Sequence, residues 1–169
     1  MLTVLVQSNS TPGALAATLS ALVPAVAEGL VSHAVVMLIG NSPDSERIAD
    51  AMGATIVRTR DDKPQDQTWR AAAQVARGDW ILLLEAGEVP GHGWIGCIER
   101  HLMLQTSASS RSAILPLAGG LERMIERIRL LIGTGRPSSG MVAPRRQFMA
   151  GLPAGRLVRL AVGRHRIQA

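Results

Sequence analysis

The sequence has little cysteine, few aromatic residues and no long apolar run. Cys97 is the one cysteine in 169 residues, so the chain can build neither a disulfide framework nor a cysteine-based zinc site. The N-terminus lacks the basic-then-apolar pattern of a secretory signal, and together with the lone thiol this predicts a reducing cytoplasm. The apolar runs at 34–39 and 80–84 fall far short of the roughly 20 residues that cross a bilayer as a helix, so no spanning segment is expected. Aromatic residues make up 2% of the chain, and beyond residue 100 Phe148 is the one Phe, Trp or Tyr. Without stacking surfaces or a recognition motif, nucleic acid is not an expected partner. Carboxylates run out as well: no Asp or Glu follows Glu126, so the last stretch offers no carboxylate base.

What is present suits one folded domain over residues 1–169. Apolar residues make up 47% and charged residues 18%, enough apolar surface to offset the entropy of ordering the chain. The net charge of +5 is unevenly spread. Residues 1–100 carry seven basic and eleven acidic side chains, a balance of −4, whereas residues 101–169 carry eleven and two, a balance of +9. A basic C-terminal part suggests an anionic partner, such as a nucleotide phosphate or phospholipid, or else a solvated arginine-rich surface.

The pattern along the chain alternates strands and helices. An apolar strand at 2–6 leads through Ser8-Asn9-Ser10-Thr11-Pro12 into a helix with Leu15, Leu19, Leu22, Val23 and Val26 on one face; proline belongs in a first helical turn. A strand at 34–39 precedes a cap at Asn41-Ser42-Pro43-Asp44 and a helix ended by Gly53, a glycine of the kind that closes helices. A strand at 54–57, a helix at 64–77 ended by Gly78, and the most apolar strand, at 80–84, follow. Further on come a helix at 94–102, a polar loop at 105–111, a strand at 113–117 and an amphipathic helix at 121–132. Such alternation predicts an α/β fold, Rossmann-like: a three-layer sandwich around a mostly parallel central sheet. Its ligands would bind beyond the C-terminal strand ends, at 7–9, 40–42, 58–62 and 85–88.

The segment Ala76-Arg77-Gly78-Asp79-Trp80-Ile81-Leu82-Leu83-Leu84-Glu85-Ala86-Gly87-Glu88-Val89-Pro90, with Trp94 beyond it, resembles the family 2 glycosyltransferases, especially their small bacterial members. In that family an Arg-Gly-Asp turn leads into an apolar strand and an Asp-x-Asp-type metal motif. Collinear with it, Val4-Leu5-Val6 with Ser8-Asn9 resembles the opening strand and polar turn, and Asn41-Ser42-Pro43-Asp44 the Gly-Ser-x-Asp turn. Gly140-Met141-Val142 with Arg145, Arg146 and Phe148 resembles the segment beyond the acceptor region. The resemblance covers roughly residues 2–153 and implies a fold of the nucleotide-diphospho-sugar transferase type. Residues 1–100 would form the nucleotide-sugar-binding part and residues 101–169 a basic acceptor-side part.

Implied roles follow residue by residue. Ser8, Asn9, Asp44 and Glu85 would line the nucleotide-sugar pocket, Glu85 and Glu88 would meet Mg²⁺ or Mn²⁺, and Ser138, Ser139 and Arg145 would face the acceptor. The expected activity is inverting transfer from a nucleotide sugar to a cell-envelope or lipid acceptor; the alternative is an inactive relative serving as a binding or partner subunit. Three positions depart from the family pattern. Gly87 stands where the second metal-motif acid belongs, Ile39 falls on the ribose-contacting acidic position, and Gly155-Arg156-Leu157-Val158-Arg159 replaces the acidic catalytic pair. No catalytic residue is therefore assigned. Asp61, Asp62 and Glu88 are the carboxylates from which a base could come, and His165 reads as a surface histidine. The helix at 121–132 suits core packing first, or else an interface with anionic lipid at the inner membrane face. Trp69, Trp80 and Trp94 read as structural.

Overall fold

The computed structural model describes residues 1–9, 11–59, 65–105, 111–119, 137–150 and 157–167. Asp61, Asp62 and the expected helix at 121–132 lie outside the described residues. The first strand, β1 (Leu2–Ser8), is buried along its whole length and is followed by α1 (Pro12–Ala27), with proline in its first turn. β2 (Val31–Ile39) leads into α2 (Pro43–Ala51), where the Ser42 hydroxyl accepts from the Ser45 amide. That bond satisfies one of the donors a helix start leaves open. β3 (Thr55–Thr59), α3 (Gln65–Val75) and β4 (Trp80–Glu85) complete the alternation. Beyond it come β5 (Glu88–Pro90), α4 (Trp94–Met103), β6 (Ala113–Ile114), β7 (Met141–Pro144), α5 (Arg145–Ala150), β8 (Val158–Arg159) and β9 (Arg164–Arg166).

Among the described residues, seven strands form one sheet in the order β3-β2-β1-β4-β7-β6-β8, and β5 pairs with β9 in a second, two-stranded sheet. The first four of these are mutually parallel. β7 runs antiparallel to both β4 and β6, while β8 is parallel to β6. Because β6, β7 and β8 join the same sheet, the basic C-terminal part shares its core with the acidic N-terminal part. This is the α/β sandwich, mostly parallel at its centre, that the alternation predicts.

Side-chain alternation divides the core into two layers. Val4 and Val6 of β1, with Leu82 and Leu84 of β4, pack with Leu15, Leu19 and Leu22 of α1 and with Trp94 and Ile98 of α4. Leu5, Ile81 and Leu83 point the other way, onto Trp69, Ala72 and Ala73 of α3 and Phe148 of α5. Strands buried on both faces explain why β1 and β4 read as unbroken apolar runs. The Arg77-Gly78-Asp79 turn has a steric basis too. The Gly78 amide donates to Thr3 Oγ1 at 2.8 Å, and a Cβ on Gly78 would stand 2.6 Å from the Met1 carbonyl oxygen.

The structure adjusts several expectations. The strand at 113–117 shortens to Ala113–Ile114, with Leu117 in an isolated bridge to Arg164. Strands β5, β8 and β9 lack the apolar alternation that marks a strand in sequence; β9 reads Arg-His-Arg. Trp69 and Trp94 are buried as expected, and Trp80 meets His101 edge-on with ring centroids 6.0 Å apart.

Candidate functional site

The strand order reverses direction at β1, with β2 and β3 on one side and β4 on the other. In open α/β sheets that switch point opens a crevice beyond the strand ends. Gln7 of β1 pairs with Glu85 of β4 there, and the Ala86 amide donates to the Gln7 carbonyl at 2.8 Å. Ser8 is buried at the end of β1 while Asn9 is exposed just beyond it. Asp44 sits in the first turn of α2, at the edge where β2 ends, exposed and ion-paired with Arg47. Ser8, Asn9, Asp44 and Glu85 therefore occupy one edge of the sheet. Ile39 ends β2 at the same edge, half-buried.

The turn from β4 to β5 is bound to α1. The Gly87 amide donates to the Ala14 carbonyl at 3.1 Å and lies 2.9 Å from Thr18 Oγ1. The Thr18 hydroxyl is in turn within 3.0 Å of the Glu88 carbonyl. Gly87 has φ +92°, and a Cβ there would approach the Ile167 carbonyl oxygen to 3.3 Å. A left-handed backbone held against a neighbouring strand favours glycine. Any side chain at position 87 would therefore carry a conformational cost.

Glu88 points inward and is fully buried. Its Oε2 accepts from the Glu85 amide at 3.1 Å and from the Ser139 hydroxyl, and it faces Arg164 Nε at 3.1 Å. Oε1 accepts from Arg166 Nη2 at 3.2 Å. The Glu85 amide, Ser139 and Arg166 thus hydrogen-bond this carboxylate, and Arg164 adds an ion-pair contact. Glu85 Oε2, a quarter exposed, receives Arg166 Nη2 at 2.7 Å. Arg164 is itself buried, with Nη1 donating to the Leu115 carbonyl. Gly140, at φ +80°, makes room for it, since a Cβ there would collide with the Arg164 guanidinium. Two carboxylates and two guanidinium groups therefore form one cluster whose formal charges cancel.

This cluster bears directly on cation binding. Mg²⁺ or Mn²⁺ requires hard oxygen ligands in near-octahedral order, and one or two carboxylates plus substrate phosphates can suffice. Glu85 fits that role as the partly exposed carboxylate at the strand end. Glu88 is less available for it, being fully buried and engaged by the Glu85 amide, Ser139 and both arginines. Among the described residues, no group of three or more His, Cys, Asp or Glu side chains converges on a cation position.

The acceptor-side residues separate. Ser139 is drawn into the cluster through Glu88, and Ser138, half-buried, precedes it. Arg145 lies elsewhere. β7 runs antiparallel to β4, with Pro144 opposite Trp80, so Arg145 is at the N-terminal end of β4, roughly 17 Å from Glu85 at about 3.3 Å per residue. Its Nε and Nη2 donate to the carbonyls of Ala73 and Gln74, at 2.9 and 2.8 Å, at the end of α3. The strand reversal carries it to the opposite end of β4 from Glu85.

Arg164 and Arg166 are the residues that sequence reasoning passed over. They appeared as part of a diffuse basic tail, while the period-two Arg-His-Arg pattern was the available signal: in β9 the two arginines share one face. His165, between them, is exposed on the other. Beside β9 opens a cleft of about 490 Å³, walled by Pro116, Leu117, Arg159 and Leu160 among others. Arg159 lies in the segment where the resemblance implies an acidic pair.

No protein-family model and no curated protein matches the chain. Solved structures do. Glucosyl-3-phosphoglycerate synthase from Mycobacterium tuberculosis, solved with Mn²⁺, uridine-diphosphate-glucose and phosphoglyceric acid, superposes with a TM-score of 0.71 at 17% identity, covering 100% of this chain and 72% of the synthase. The same enzyme with Mg²⁺ and uridine-diphosphate gives 0.71 at 15% identity, with 100% and 72% covered. A mycobacterial protein gives 0.72 at 14% identity, with 100% and 68% covered. At such identities the likeness concerns the backbone. The chain has the α/β fold of glucosyl-3-phosphoglycerate synthase.

Proposed function

We propose that this chain is a glycosyltransferase-like domain that binds a nucleotide-diphospho-sugar across the C-terminal ends of β1, β2 and β4. One observation carries the reading: the strand order puts the switch point between β1 and β4, where Asn9 and Glu85 stand at the rim. Asn9 and Asp44, both exposed, offer polar contacts to the nucleoside, and Ser8 backs the turn that presents Asn9. Glu85, with diphosphate oxygens, would hold Mg²⁺ or Mn²⁺; when bound, the cation supplies charge neutralisation to a departing diphosphate.

Transfer by the chain alone is slow in this reading. A positioned general base contributes about 10²–10⁴-fold. Glu88 is poorly placed to serve, being fully buried, hydrogen-bonded by the Glu85 amide, Ser139 and Arg166 and ion-paired with Arg164, and Glu85 is engaged by Arg166. This favours the second reading, an inactive relative serving as a binding or partner subunit; in an active protein the base would have to come from a partner protein or from Asp61 or Asp62. The cleft beside β9, with Arg159 on its wall, supports an acceptor carrying negative charge, such as a phospholipid headgroup.

Isothermal titration of the purified chain with a panel of nucleotide sugars tests donor binding, and nucleoside diphosphate release with an acceptor panel tests turnover. Binding with little or no release is the expected result. Absence of binding to every donor, with and without Mn²⁺, would overturn the proposal. Rapid multiple turnover that survives replacement of Asp61, Asp62 and Glu88 would overturn the account of the base.

A further inference from the structure

We infer that Thr18 of α1 is a positioning residue of the cation site, holding the turn that presents Glu85. The inference rests on the donor-site reading above and deepens it. The buried residues of α1 are Ala14, Leu15, Thr18, Leu19, Leu22 and Ala25. Thr18 is the polar side chain of that set, and none of it is exposed. Packing alone does not call for it: valine has nearly the same shape and would fill the space without a polar group that has to be bonded. The hydroxyl is used on the turn instead.

That hydroxyl accepts from the Gly87 amide at 2.9 Å, and its proton has the carbonyls of Glu88 at 3.0 Å and Ala14 at 3.2 Å within reach. The Ala14 contact is the bond back along a helix that any helical threonine can form. The other two cross 69 and 70 residues of chain and end on consecutive residues of the turn from β4 to β5. A backbone bond from the Gly87 amide to the Ala14 carbonyl, at 3.1 Å, joins the turn to α1 as well. Glu88 passes the constraint on: its carbonyl meets Thr18, while its Oε2 accepts from the Glu85 amide at 3.1 Å. A shift of Gly87 and Glu88 is therefore felt at the backbone of Glu85, whose carboxylate a cation would meet. Thr18, fully buried, does not touch the ligand and acts through Glu85. Groups that orient a metal ligand in this way weigh heavily in metal affinity.

The experiment titrates the full chain with uridine diphosphate in excess EDTA and in millimolar MnCl₂, and reads the gain in affinity that Mn²⁺ brings. Thr18→Val should lower that gain by about tenfold or more, the size usual when a group orienting a metal ligand is lost, and leave affinity in EDTA unchanged. Thr18→Ser keeps the hydroxyl and should retain the gain. Thr18→Cys, with a weak donor and acceptor in its place, should fall between them. Thermal unfolding of each variant separates stability from binding, since a merely structural residue would lower the melting temperature and leave the Mn²⁺ gain of the folded chain as it was. An unchanged gain in folded Thr18→Val, or in folded Thr18→Cys where valine prevents folding, would overturn the inference and leave the donor-site reading standing. A loss in Thr18→Ser equal to that in Thr18→Val would do the same. Uridine diphosphate that binds the unaltered chain equally with and without Mn²⁺ would overturn the inference together with the cation's place at Glu85. No binding of it, or of any nucleotide sugar, in either condition would overturn the donor-site reading as well.

Discussion

The two ends of β4 use arginine for opposite purposes. At the N-terminal end, Arg145 donates to the carbonyls that finish α3 and is part of the scaffold. At the C-terminal end, Arg164 and Arg166 meet the carboxylates of Glu85 and Glu88 and rebuild the electrostatics of the crevice. All three belong to the basic part of the chain, so net charge alone does not say which arginine faces a ligand. What separates them is strand direction: β7 carries Arg145 away from the crevice, and β9 carries Arg164 and Arg166 into it.

The largest effect should come from breaking the internal pair. Arg164→Met would leave the buried Glu88 without its nearest counter-ion, a change that typically costs 3–5 kcal/mol. Urea denaturation measures it, and adding Glu88→Gln to the same chain should recover part of the loss. A cost below about 1 kcal/mol would mean that Arg164 does no more than an exposed arginine.

Arg145 and Arg166 make the sharpest pair. Arg145→Ala should lower stability by about 1–2 kcal/mol, since its bonds to the Ala73 and Gln74 carbonyls are charge-assisted, and should leave nucleoside diphosphate affinity unchanged. Arg166→Gln, which removes the positive charge facing Glu85 at 2.7 Å, should increase the gain in that affinity from Mn²⁺. If Arg145→Ala changes the Mn²⁺ gain as strongly as Arg166→Gln, the division between the two ends of β4 fails.

Restoring an acid to the metal motif should have a smaller, mixed result. Gly87→Asp puts a side chain on a backbone at φ +92°, costing about 1–2 kcal/mol. In the folded fraction, Mn²⁺ should then strengthen nucleotide binding more than it does in the unaltered chain. Calorimetry with and without Mn²⁺ reads the difference.

The smallest expected effect is a pH dependence belonging to the scaffold end. Burial holds His101 below the usual histidine value of 6.5, opposed in part by its bond to the Arg111 carbonyl. Burial, followed by the Arg77 charge, lowers His33 as well. Both are therefore neutral in the fold at pH values where the unfolded chain begins to protonate. Their contribution to stability is present above about pH 6.5 and is lost as pH falls below it. Melting temperature should decline from pH 7.5 to pH 5, and His101→Gln should flatten that decline. An unchanged slope in the variant would show that His101 does not carry it.

The sequence by itself determined the strand and helix alternation through Trp94, because strands buried on both faces require the unbroken apolar runs at 2–6 and 80–84 and helices require one-sided spacing. It also determined which edge of the sheet bears Asn9, Asp44 and Glu85, since parallel strands all end on the same side. The left-handed backbone at Gly87 and the fate of Glu88 were not legible. A carboxylate three residues past a strand reads as a ligand until its surroundings are known, and those surroundings come from residues about 50 to 80 positions away. Tertiary structure alone decided that Arg164 and Arg166 close on Glu85 and Glu88 while Arg145 does not. Pairing between β5 and β9 is a long-range register, and β9 carries no apolar pattern to announce it. Its place is set by ion pairs and backbone bonds that exist only once the sheet is assembled.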